Sequence, residues 1–395
     1  MKRKILIAGG GIGGLAAALS CSRVASEIEL FERFTRFSEV GAGIQLGPNV
    51  VKILYRWGLK DAINLVAAFP ERLRIRNAVT GAQLGQLRLG GFAVRRYGAP
   101  YATIHRADLH GVLLSALRHH SNVTLNTDSE INGFQQDEHG VRVVLTDGRE
   151  AQGDALVGAD GLWSNIRRQL LNDGGLHATG HLAYRAQLPQ SNLPERLRSQ
   201  EVTAWLGPRM HVVQYPVRRG EWMNVVAIVH GHMPGDAEYW DHTGNAARLR
   251  RAVGKTAAPL QDMIHAISYW RLWALSDRAP MRSAREHGVG RVALLGDAAH
   301  PMLPYLAQGA GMAIEDADEL GRSLGQSKLE VPAALREYGE HRWRRNARVQ
   351  TESRRNGRIF HATGIVRVGR DMAIKVLGER LLDKPWLYRG ASRQS

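Results

Sequence analysis

The sequence contains a single cysteine, Cys21, among its 395 residues. One thiol excludes an internal disulfide framework and is typical of a reducing compartment, so we expect a cytoplasmic location. The sequence also lacks an uninterrupted apolar run of about 20 residues, the length that a membrane span needs. Glycines interrupt the N-terminal stretch MKRKILIAGGGIGGL, and no small-residue cleavage site follows it, so we expect no signal peptide. Cys21 falls on the apolar face of the first predicted helix and is expected to have no chemical role.

Acidic residues are fewer than basic ones. The sequence has 37 Asp and Glu and 53 Lys and Arg, which gives a formal net charge of +16. The basic residues are densest over residues 341–358, HRWRRNARVQTESRRNGR. Nucleic-acid binding is one interpretation of such a run. The sequence carries no helix-turn-helix, zinc-knuckle or RNA-recognition signature, which favours a solvated helix face, with no nucleic-acid partner and no bound metal. A positive potential would still attract anionic substrates and cofactors.

Glycine is abundant, with 43 residues, which fits a fold with several tight turns that approach ligands. The apolar run of residues 4–8, the helical pattern of Leu15–Arg23 and the strand pattern of Glu27–Phe31 predict a βαβ unit. Further elements of this kind are predicted as helices near Val50–Tyr55 and Asp108–His119 and as strands at Val141–Leu145, Ala155–Gly158 and Arg291–Leu295.

Between about residues 180 and 279 the pattern changes to alternating segments such as VTAWL, MHVVQYPV and WMNVVAIV, separated by short turns. Such alternation predicts an antiparallel sheet. We therefore predict an α/β fold with a Rossmann-type nucleotide-binding domain, an inserted antiparallel β-sheet substrate domain and a helical C-terminal region. The predicted boundaries are residues 1–175 and 280–345 for the first domain, 176–279 with about 72–104 for the second, and 346–395 for the C-terminal region.

The first chemical motif is Gly9-x-Gly11-x-x-Gly14, with glycine also at positions 10 and 13. It lies between a predicted strand and a predicted helix, and the acid Glu32 follows the next strand. Glycine permits the tight turn, the close approach of a pyrophosphate and close helix packing, while the acid accepts hydrogen bonds from ribose hydroxyls. The pattern predicts dinucleotide binding but does not separate FAD from NAD.

The second motif is Gly158-Ala159-Asp160-Gly161, which is followed by Ser164 and Arg167. A predicted strand ends here at an Asp-Gly turn, and a helix is expected to start after it. Asp-Gly turns are common. Taken alone, the segment therefore fits a ligand-binding role and a structural role equally well.

The third motif is Gly296–Ala317, GDAAHPMLPYLAQGAGMAIEDA, in which an apolar strand ends in Asp297. A proline-rich bend follows, and then a glycine-opened helix begins after Gln308. An acid at the end of a strand can accept hydrogen bonds from a polyol, and a helix N-terminus presents free N–H groups to an anion. Together these features suit a flavin, whose ring becomes anionic when it is reduced.

These motifs together resemble the single-component FAD-dependent aromatic hydroxylases, the family that includes salicylate hydroxylases and 3-hydroxybenzoate 6-hydroxylases. The resemblance covers nearly the whole chain, and it includes GAGIQLGPN at Gly41–Asn49, HRADL at His105–Leu109 and GPRMHVVQYPVRRGE at Gly207–Glu221. It implies that the nucleotide-binding domain is an FAD-binding domain.

The resemblance also implies NADH or NADPH as co-substrate. The chain has no second Gly-x-Gly-x-x-Gly motif, which fits a family in which the nicotinamide binds only transiently. By resemblance, Glu32 holds the adenosine ribose, Asp297 holds the ribitol, and the helix after Gln308 points at the pyrimidine side of the flavin. The cofactor-binding residues implied in this way are Gly9, Gly11, Gly13, Gly14, Glu32, Arg33, Arg106, Asp160, Asp297, Gly309 and Ala310.

The implied reaction is reduction of the flavin by NAD(P)H, addition of O2 to give a flavin hydroperoxide, and transfer of its distal oxygen to a phenolic aromatic acid. Such a ring is activated by removal of its phenolic proton, which requires a base. His211 is the candidate base and Tyr215 its hydrogen-bonding partner. Both would lie on one face of a strand, with Cα atoms roughly 13 Å apart. The alternative, that both are ordinary core residues, would be favoured without the family.

The substrate is left open, because two residues implied to contact it, Gln45 and Pro304, lie where relatives differ. Hydroxylases that attack para to a phenol tend to carry glutamine at the position of Pro304, and 6-hydroxynicotinate monooxygenases tend to carry histidine at that of Gln45. The segment MLPYLAQGA is more similar to the corresponding segment of salicylate hydroxylases. Arg185 is one candidate for binding the substrate carboxylate.

Two further functional hypotheses remain, and a homodimer is a possible assembly. One hypothesis is another flavoenzyme on the same scaffold, such as a reductase or a halogenase, although the chain lacks the Trp-x-Trp-x-Ile-Pro stretch expected of halogenases. The other is a basic nucleic-acid-binding protein with a vestigial nucleotide fold.

Overall fold

A computed structural model describes residues 3–37, 42–231 and 245–390. Within these ranges no helix is both long and apolar enough to cross a membrane. The strands are β1 Lys4–Ala8, β2 Glu27–Phe31, β3 Gly43–Leu46, β4 Arg72–Asn77, β5 Gln83–Arg88, β6 Ala102–His105, β7 Val123–Asn126, β8 Ile131–Gln136, β9 Val141–Leu145, β10 Glu150–Gly153, β11 Ala155–Gly158, β12 His177–Pro189, β13 Val202–Gly207, β14 Met210–Val217, β15 Trp222–His230, β16 Arg271–Asp277, β17 Gly288–Val289 and β18 Val292–Leu294.

The α-helices connect and flank these strands. They are α1 Ile12–Cys21, α2 Pro48–Arg56, α3 Lys60–Val66, α4 Gly90–Tyr97, α5 Arg106–Leu117, α6 Asn165–Leu171, α7 Asn245–Val253, α8 Ala258–Ala266, α9 Gly309–Leu324, α10 Val331–Phe360, α11 Gly364–Leu377, α12 Glu379–Leu382 and α13 Pro385–Tyr388.

The first sheet carries the nucleotide-binding motifs. Its six strands run in the order β17-β18-β11-β1-β2-β7, and all its neighbours are parallel except β17 and β18. Parallel strands buried on both faces read as near-continuous apolar runs, as β1 does in the sequence. Helices α1, α5 and α9 cover one face, and the small sheet β8–β10 packs on the other. The carboxyl ends of β1, β11 and β18 therefore meet at one edge.

The second sheet has seven strands in the order β16-β12-β15-β14-β13-β4-β5. Its neighbours are antiparallel, except for the parallel pair β13 and β4. Residues 72–88 thus supply strands to the sheet formed by residues 177–277. The boundaries of the domains themselves stay a prediction.

The two faces of the second sheet differ in what they contact. Val212 packs with Trp270 and Met263 on the face covered by α7 and α8. The side chains of His211, Val213 and Tyr215 alternate with Val212 and therefore point to the opposite face, toward the first domain and the C-terminal helices. The sequence expectation that 211, 213 and 215 share one face agrees with this geometry.

Helix boundaries differ from the sequence expectations by one to three residues. Helix α1 begins at Ile12 rather than Leu15, because the glycines at positions 13 and 14 adopt helical conformation inside the motif. Helix α2 begins at Pro48, where the ring supplies a φ suited to a first helical residue. Cys21 is buried at the end of α1, as expected.

Candidate active site

The glycine turn between β1 and α1 brings two strand ends into close contact. Gly9 has φ of +101°, and a Cβ there would lie 2.5 Å from the carbonyl oxygen of Ala159. A Cβ at Gly14 would lie 1.9 Å from the carbonyl oxygen of Gly9. Helix α1 has Gly11 as its N-cap, and this residue offers no side-chain cap. The first N–H groups of α1 are therefore left for an external acceptor.

Glu32, directly after β2, holds this turn in place. Its carboxylate accepts hydrogen bonds from the backbone N–H of Gly10 at 2.7 Å and of Phe34 at 3.0 Å. A carboxylate has about four lone-pair sites, so Glu32 can still accept from ribose hydroxyls. Arg33 is exposed and stacks on Phe34, with its guanidinium carbon 4.8 Å from the ring centroid.

A cavity of about 300 Å³ extends from the glycine turn to the face of the second sheet. The exposed Asp297 lines it, in a short 3-10 turn opened by the left-handed Gly296. The first residues of α9, Gly309 and Ala310, line its other side with their N–H groups. The remaining lining includes Gly11, Ile12, Gly13, Gly43, Gln45, Arg106, Ala159, Gly161, Arg185, His211, Tyr215 and Pro304.

Asp160 is placed beside this cavity but uses its carboxylate within its own loop. It accepts from the Ser164 hydroxyl at 2.6 Å and from the N–H of Ile166 at 3.1 Å, and so fixes the start of α6. Burial raises the pKa of Asp160. Its neighbours Ala159 and Gly161 line the cavity instead. Direct contact between Asp160 and a cofactor stays a prediction.

Arg167 stabilises the turn that carries Asp297. It is buried, pairs with Asp173, and donates to the carbonyl oxygens of Ala298 and Ala299. These carbonyls directly follow Asp297, so Arg167 ties α6 to the turn that presents the Asp297 carboxylate.

A buried ionic network fixes the start of α9, and the sequence did not indicate it. Arg342 donates to Glu315 at 2.8 Å and to Asp316 at 2.7 Å, and Arg345 donates to Glu315 at 2.6 Å. Burial opposes ionisation of Glu315, but Arg345 and Arg342 outweigh it and hold its pKa at about 2. Asn49 links the network to the N-cap residue of α9 by donating to Glu315 and Gln308.

This network corrects the expectation that residues 341–358 form only a solvated face. Arg342 is 1% exposed and Arg345 is mostly buried. Arg354 pairs with Asp277 at the end of β16. The expectation fails because these arginines have acidic partners far away in the sequence, which a local charge count does not reveal.

Three candidate site residues of the second sheet face the cavity: His211, Tyr215 and Arg185. Burial raises the pKa of Tyr215, while Arg185 and a hydrogen bond from Gln45 partly oppose this. Gln45 also accepts from the Tyr101 hydroxyl at 2.6 Å. Burial, reinforced by His181, lowers the pKa of His211 to about 3.

Arg185, on β12, forms no ion pair with any acidic residue in the part of the chain that the structure describes. Its guanidinium lies 5.1 Å from the ring centroid of Trp273. Its Nε is buried and has no hydrogen-bond partner among the described residues. Burial lowers its pKa, and Arg106 adds to this effect, whereas Tyr215 opposes it. A buried guanidinium with an unused donor is suited to bind an anion.

A second cavity, of about 560 Å³, lies between the second sheet and α10, α11 and α13. It is lined mainly by apolar side chains. It shares Gln45, His211 and Pro304 with the first cavity, so these residues stand where the two meet. Gly41, at the start of the predicted GAGIQLGPN motif, lies outside the described residues.

The residues that surround His211 could not be predicted from the sequence. Its Nδ1 lies 2.7 Å from Nε2 of His361, which follows the last residue of α10. His230 and His181, on neighbouring strands, lie close by. Isolated histidines carry no periodic signal, so only the fold brings these four together.

Comparison with known proteins agrees with this geometry. Residues 2–353 match a family profile described as FAD binding domain. The chain is 37% identical to the 3-hydroxybenzoate 6-hydroxylase of Polaromonas naphthalenivorans (strain CJ2) over 387 residues, which cover 97% of this chain and 95% of that protein. It is 34% identical to the 6-hydroxynicotinate 3-monooxygenase of Bordetella bronchiseptica (strain ATCC BAA-588 / NCTC 13252 / RB50), over 90% of this chain and 91% of that protein.

Solved structures are also similar over the whole chain. Klebsiella pneumoniae HpxO complexed with FAD and uric acid superposes with a TM-score of 0.85 at 26% identity, covering 96% of this chain and 94% of that one. A salicylate hydroxylase substrate complex superposes with a TM-score of 0.81 at 25% identity, covering 100% of this chain and 99% of that one. NADH or NADPH is the typical co-substrate of such hydroxylases. The chain therefore belongs to the FAD binding domain family, as an FAD-dependent aromatic hydroxylase.

Proposed function

We propose that this enzyme hydroxylates a hydroxybenzoate of the 3-hydroxybenzoate type, using NADH or NADPH and O2. The observation that carries the proposal is the joint placement of His211, Tyr215 and the unpaired Nε of Arg185 around one cavity. A base and a hydroxyl group suit a phenol, and a buried guanidinium suits a carboxylate. A hydroxybenzoate has both groups on one ring.

The residues present fit FAD. In the proposed arrangement the glycine turn and the N-terminus of α1 take the pyrophosphate, and Glu32 takes the adenosine ribose. Asp297 takes the ribitol, and the N–H groups of Gly309 and Ala310 face the pyrimidine edge of the ring. Arg33 and Arg106 supply positive charge to the phosphate and ribose region. FAD supplies the chemistry of reduction by NAD(P)H and delivery of one oxygen atom from O2 to the substrate ring.

The protein's part is to bind, orient and deprotonate the substrate. Arg185 holds the carboxylate, and the Nε2 of His211 takes the phenolic proton, since Nδ1 already contacts His361. Tyr215 remains protonated because burial raises its pKa, so its hydroxyl can donate to the substrate oxygen. His211 is neutral at working pH because its pKa is lowered to about 3, which leaves it able to accept a proton.

Three relatives support a substrate of the 3-hydroxybenzoate type. The proteins named 3-hydroxybenzoate 6-hydroxylase from P. naphthalenivorans, Aquipseudomonas alcaligenes and Klebsiella oxytoca are 34% to 38% identical to this chain over at least 92% of its length. A 6-hydroxynicotinate has the same two functional groups and would fit the same three side chains. It is therefore the second candidate, together with salicylate.

Location and assembly belong to the same proposal. The single cysteine supports a cytoplasmic location. A homodimer is supported by α11, whose exposed Ile365, Val368, Met372 and Val376 recur at helical spacing and form one apolar stripe.

Substrate-stimulated oxidation of NADH and of NADPH tests the proposal across 3-hydroxybenzoate, salicylate, 4-hydroxybenzoate and 6-hydroxynicotinate, with identification of each product. We expect 3-hydroxybenzoate to give the highest kcat/KM with a hydroxylated product. His211→Ala should slow hydroxylation about a hundredfold or more while leaving bound FAD unchanged. Parental hydroxylation by this variant would remove His211 from its role, and preference for another acid would reassign the substrate.

A further inference from the structure

Four histidines converge behind the substrate cavity: His181, His211, His230 and His361. His181, His211 and His230 lie on β12, β14 and β15 and project from the same face of the second sheet. His361 directly follows α10 and lies over them, with ring centroids 5.0 Å from each of the three. The cluster is thus formed by residues of three adjacent strands together with the residue that follows α10.

Three of these rings form a continuous hydrogen-bonded chain. Nδ1 of His211 lies 2.7 Å from Nε2 of His361, and Nδ1 of His361 lies 2.9 Å from Nε2 of His230. His211 and His361 are buried, whereas His230 is exposed at the end of β15. The chain therefore runs from the cavity wall to solvent, and its central ring, His361, uses both of its nitrogens.

We propose that His361 and His230 form a proton relay that carries the phenolic proton of the substrate from His211 to solvent. The proposal rests on the proposed function, since it takes the phenol as the source of the proton. His361 and His230 do not touch the substrate. Their role is to carry a proton away from His211 and later to return one to it.

The transfer balances in protons. The substrate O–H bond breaks as an N–H bond forms at Nε2 of His211, and the Nδ1 proton of His211 passes to Nε2 of His361. The Nδ1 proton of His361 passes to Nε2 of His230, and the Nδ1 proton of His230 passes to water. One proton leaves the phenol, one reaches solvent, and every ring ends neutral in its other tautomer.

The same route in reverse restores the starting state. Once the ring has been hydroxylated, the product leaves as a neutral phenol and must recover a proton. A proton that enters at His230 and travels inward returns each ring to its original tautomer. The relay therefore works once in each direction per catalytic cycle, with no ring rotation needed.

The surroundings explain why a relay is needed rather than a single base. Burial and its histidine neighbours lower the pKa of His361 to about 2, and burial lowers that of His211 to about 3, so neither ring retains an extra proton. A proton taken from the phenol must therefore be passed on. The groups that face the cluster are Arg209 beside His230, Arg370 beside His361, Asp277 beside His181, and Tyr305, whose hydroxyl bonds His181.

A metal site is the competing interpretation, because nitrogens of His181, His230 and His361 lie within 4.8 Å of one another. The 2.9 Å separation between His361 and His230 is that of a hydrogen bond. Tetrahedral zinc with bonds of about 2.0–2.1 Å would hold its nitrogen ligands more than 3 Å apart. Stoichiometric metal in the purified enzyme, as measured by elemental analysis, would overturn the relay.

The test follows proton release without turnover. Oxidised holoenzyme is mixed with 3-hydroxybenzoate in weak buffer containing a pH indicator, and stopped-flow absorbance records both ligand ionisation and proton appearance. In the parental enzyme, ligand ionisation and the appearance of the proton in solution should occur at the same rate. His361→Gln keeps a polar side chain of similar length but cannot shuttle a proton, and should slow both at least about tenfold.

The controls separate a relay from a structural role. His181→Gln removes a histidine of the same cluster that lies outside the chain, and should release protons at the parental rate. His230→Ala should be slow but accelerated by added imidazole, which can take the proton at the surface. Thermal unfolding and FAD content of each variant report on folding.

Two results would overturn the relay: parental proton release by His361→Gln, or equal slowing by His181→Gln. Failure of the proposed function gives a different result. In that case the parental enzyme itself would neither ionise nor hydroxylate 3-hydroxybenzoate. Repeating the assay with the acid that gives product then tests His361→Gln on that ligand.

Discussion

At the scale of single residues, the account depends on a few side chains that face one cavity. Asp297 is exposed to it, whereas Asp160 is occupied by Ser164 and Ile166. Each acid follows an apolar strand in the sequence, and the family resemblance implied a cofactor contact for both. Only their hydrogen-bond partners distinguish an acid that is available to a ligand from one that builds a turn.

Asp297→Ala should weaken FAD binding, because a charged hydrogen bond to the ribitol is lost. A hydrogen bond to a charged group contributes about 1.5–3 kcal/mol, which corresponds to a Kd raised about tenfold to a hundredfold. Fluorescence titration of the apoenzyme with FAD measures it. Asp147→Ala, at an exposed hairpin turn, is the control and should bind FAD normally. An unchanged Kd for Asp297→Ala would rule out the ribitol role.

Arg185→Met should raise the Kd of 3-hydroxybenzoate about thirtyfold, because the substrate carboxylate loses its guanidinium partner. The same variant should bind 3-methylphenol, which has no carboxylate, about as well as the parental enzyme. Difference spectra of the oxidised flavin on ligand addition measure both constants. Equal weakening of the two ligands would show that Arg185 supports the cavity rather than the carboxylate.

At the scale of elements, the N-terminus of α9 is held by helix α10 through buried charges. Removal of one partner from a buried ion pair is strongly destabilising, by about 3–5 kcal/mol, because the remaining charge stays buried. The network of Arg342, Glu315 and Asp316 therefore supports the helix end that lines the first cavity.

Arg342→Met should lower the free energy of unfolding by about 3 kcal/mol or more near neutral pH. The folded pKa of Glu315 is about 2, below its ordinary 4.5, so its stabilisation is present above pH 4.5 and is lost as the pH falls toward 2. The difference between parent and variant should shrink over that range in urea unfolding. Arg336→Met, at an exposed position of α10, should change little. If the free energies of unfolding of parent and variant differed by the same amount at every pH, the ionic explanation would be excluded.

Some elements could be predicted from sequence and others could not. Strands β1, β2, β9 and β11 have the predicted boundaries, because continuous or alternating apolar residues encode them locally. Helices α1 and α2 begin earlier than predicted, because glycine and proline adopt helical conformation in their first turns. The histidine contacts join residues 150 and 131 positions apart, and Arg342, Arg345 and Arg354 of α10 pair with acids 26 to 77 positions away, which no local pattern records.

At the scale of the whole molecule, two sheets and a long C-terminal helix enclose the site between them. The motifs proposed to bind FAD could be recognised in sequence because each is a short loop at the end of a strand. The substrate side could be assigned only in part, since Gln45, Pro304 and Arg185 come from three separate segments.

The apolar stripe of α11 predicts a homodimer. Val368→Glu combined with Val376→Glu should shift the protein toward monomer, because each substitution would place a charge in the buried interface. Analytical ultracentrifugation measures the association state. Arg336→Glu makes the same type of change away from the stripe and should leave the assembly intact. A parental protein that is monomeric at all concentrations would contradict the prediction.

The central claim is that one atom of O2 is transferred to a hydroxybenzoate bound against His211, Tyr215 and Arg185. The most direct test is turnover with 3-hydroxybenzoate and NADH or NADPH under oxygen-18 gas, with mass spectrometry of the product. The account predicts a dihydroxybenzoate carrying one labelled oxygen. Oxidation of the nicotinamide that yields only hydrogen peroxide, with no labelled product from any of the phenolic acids, would contradict it.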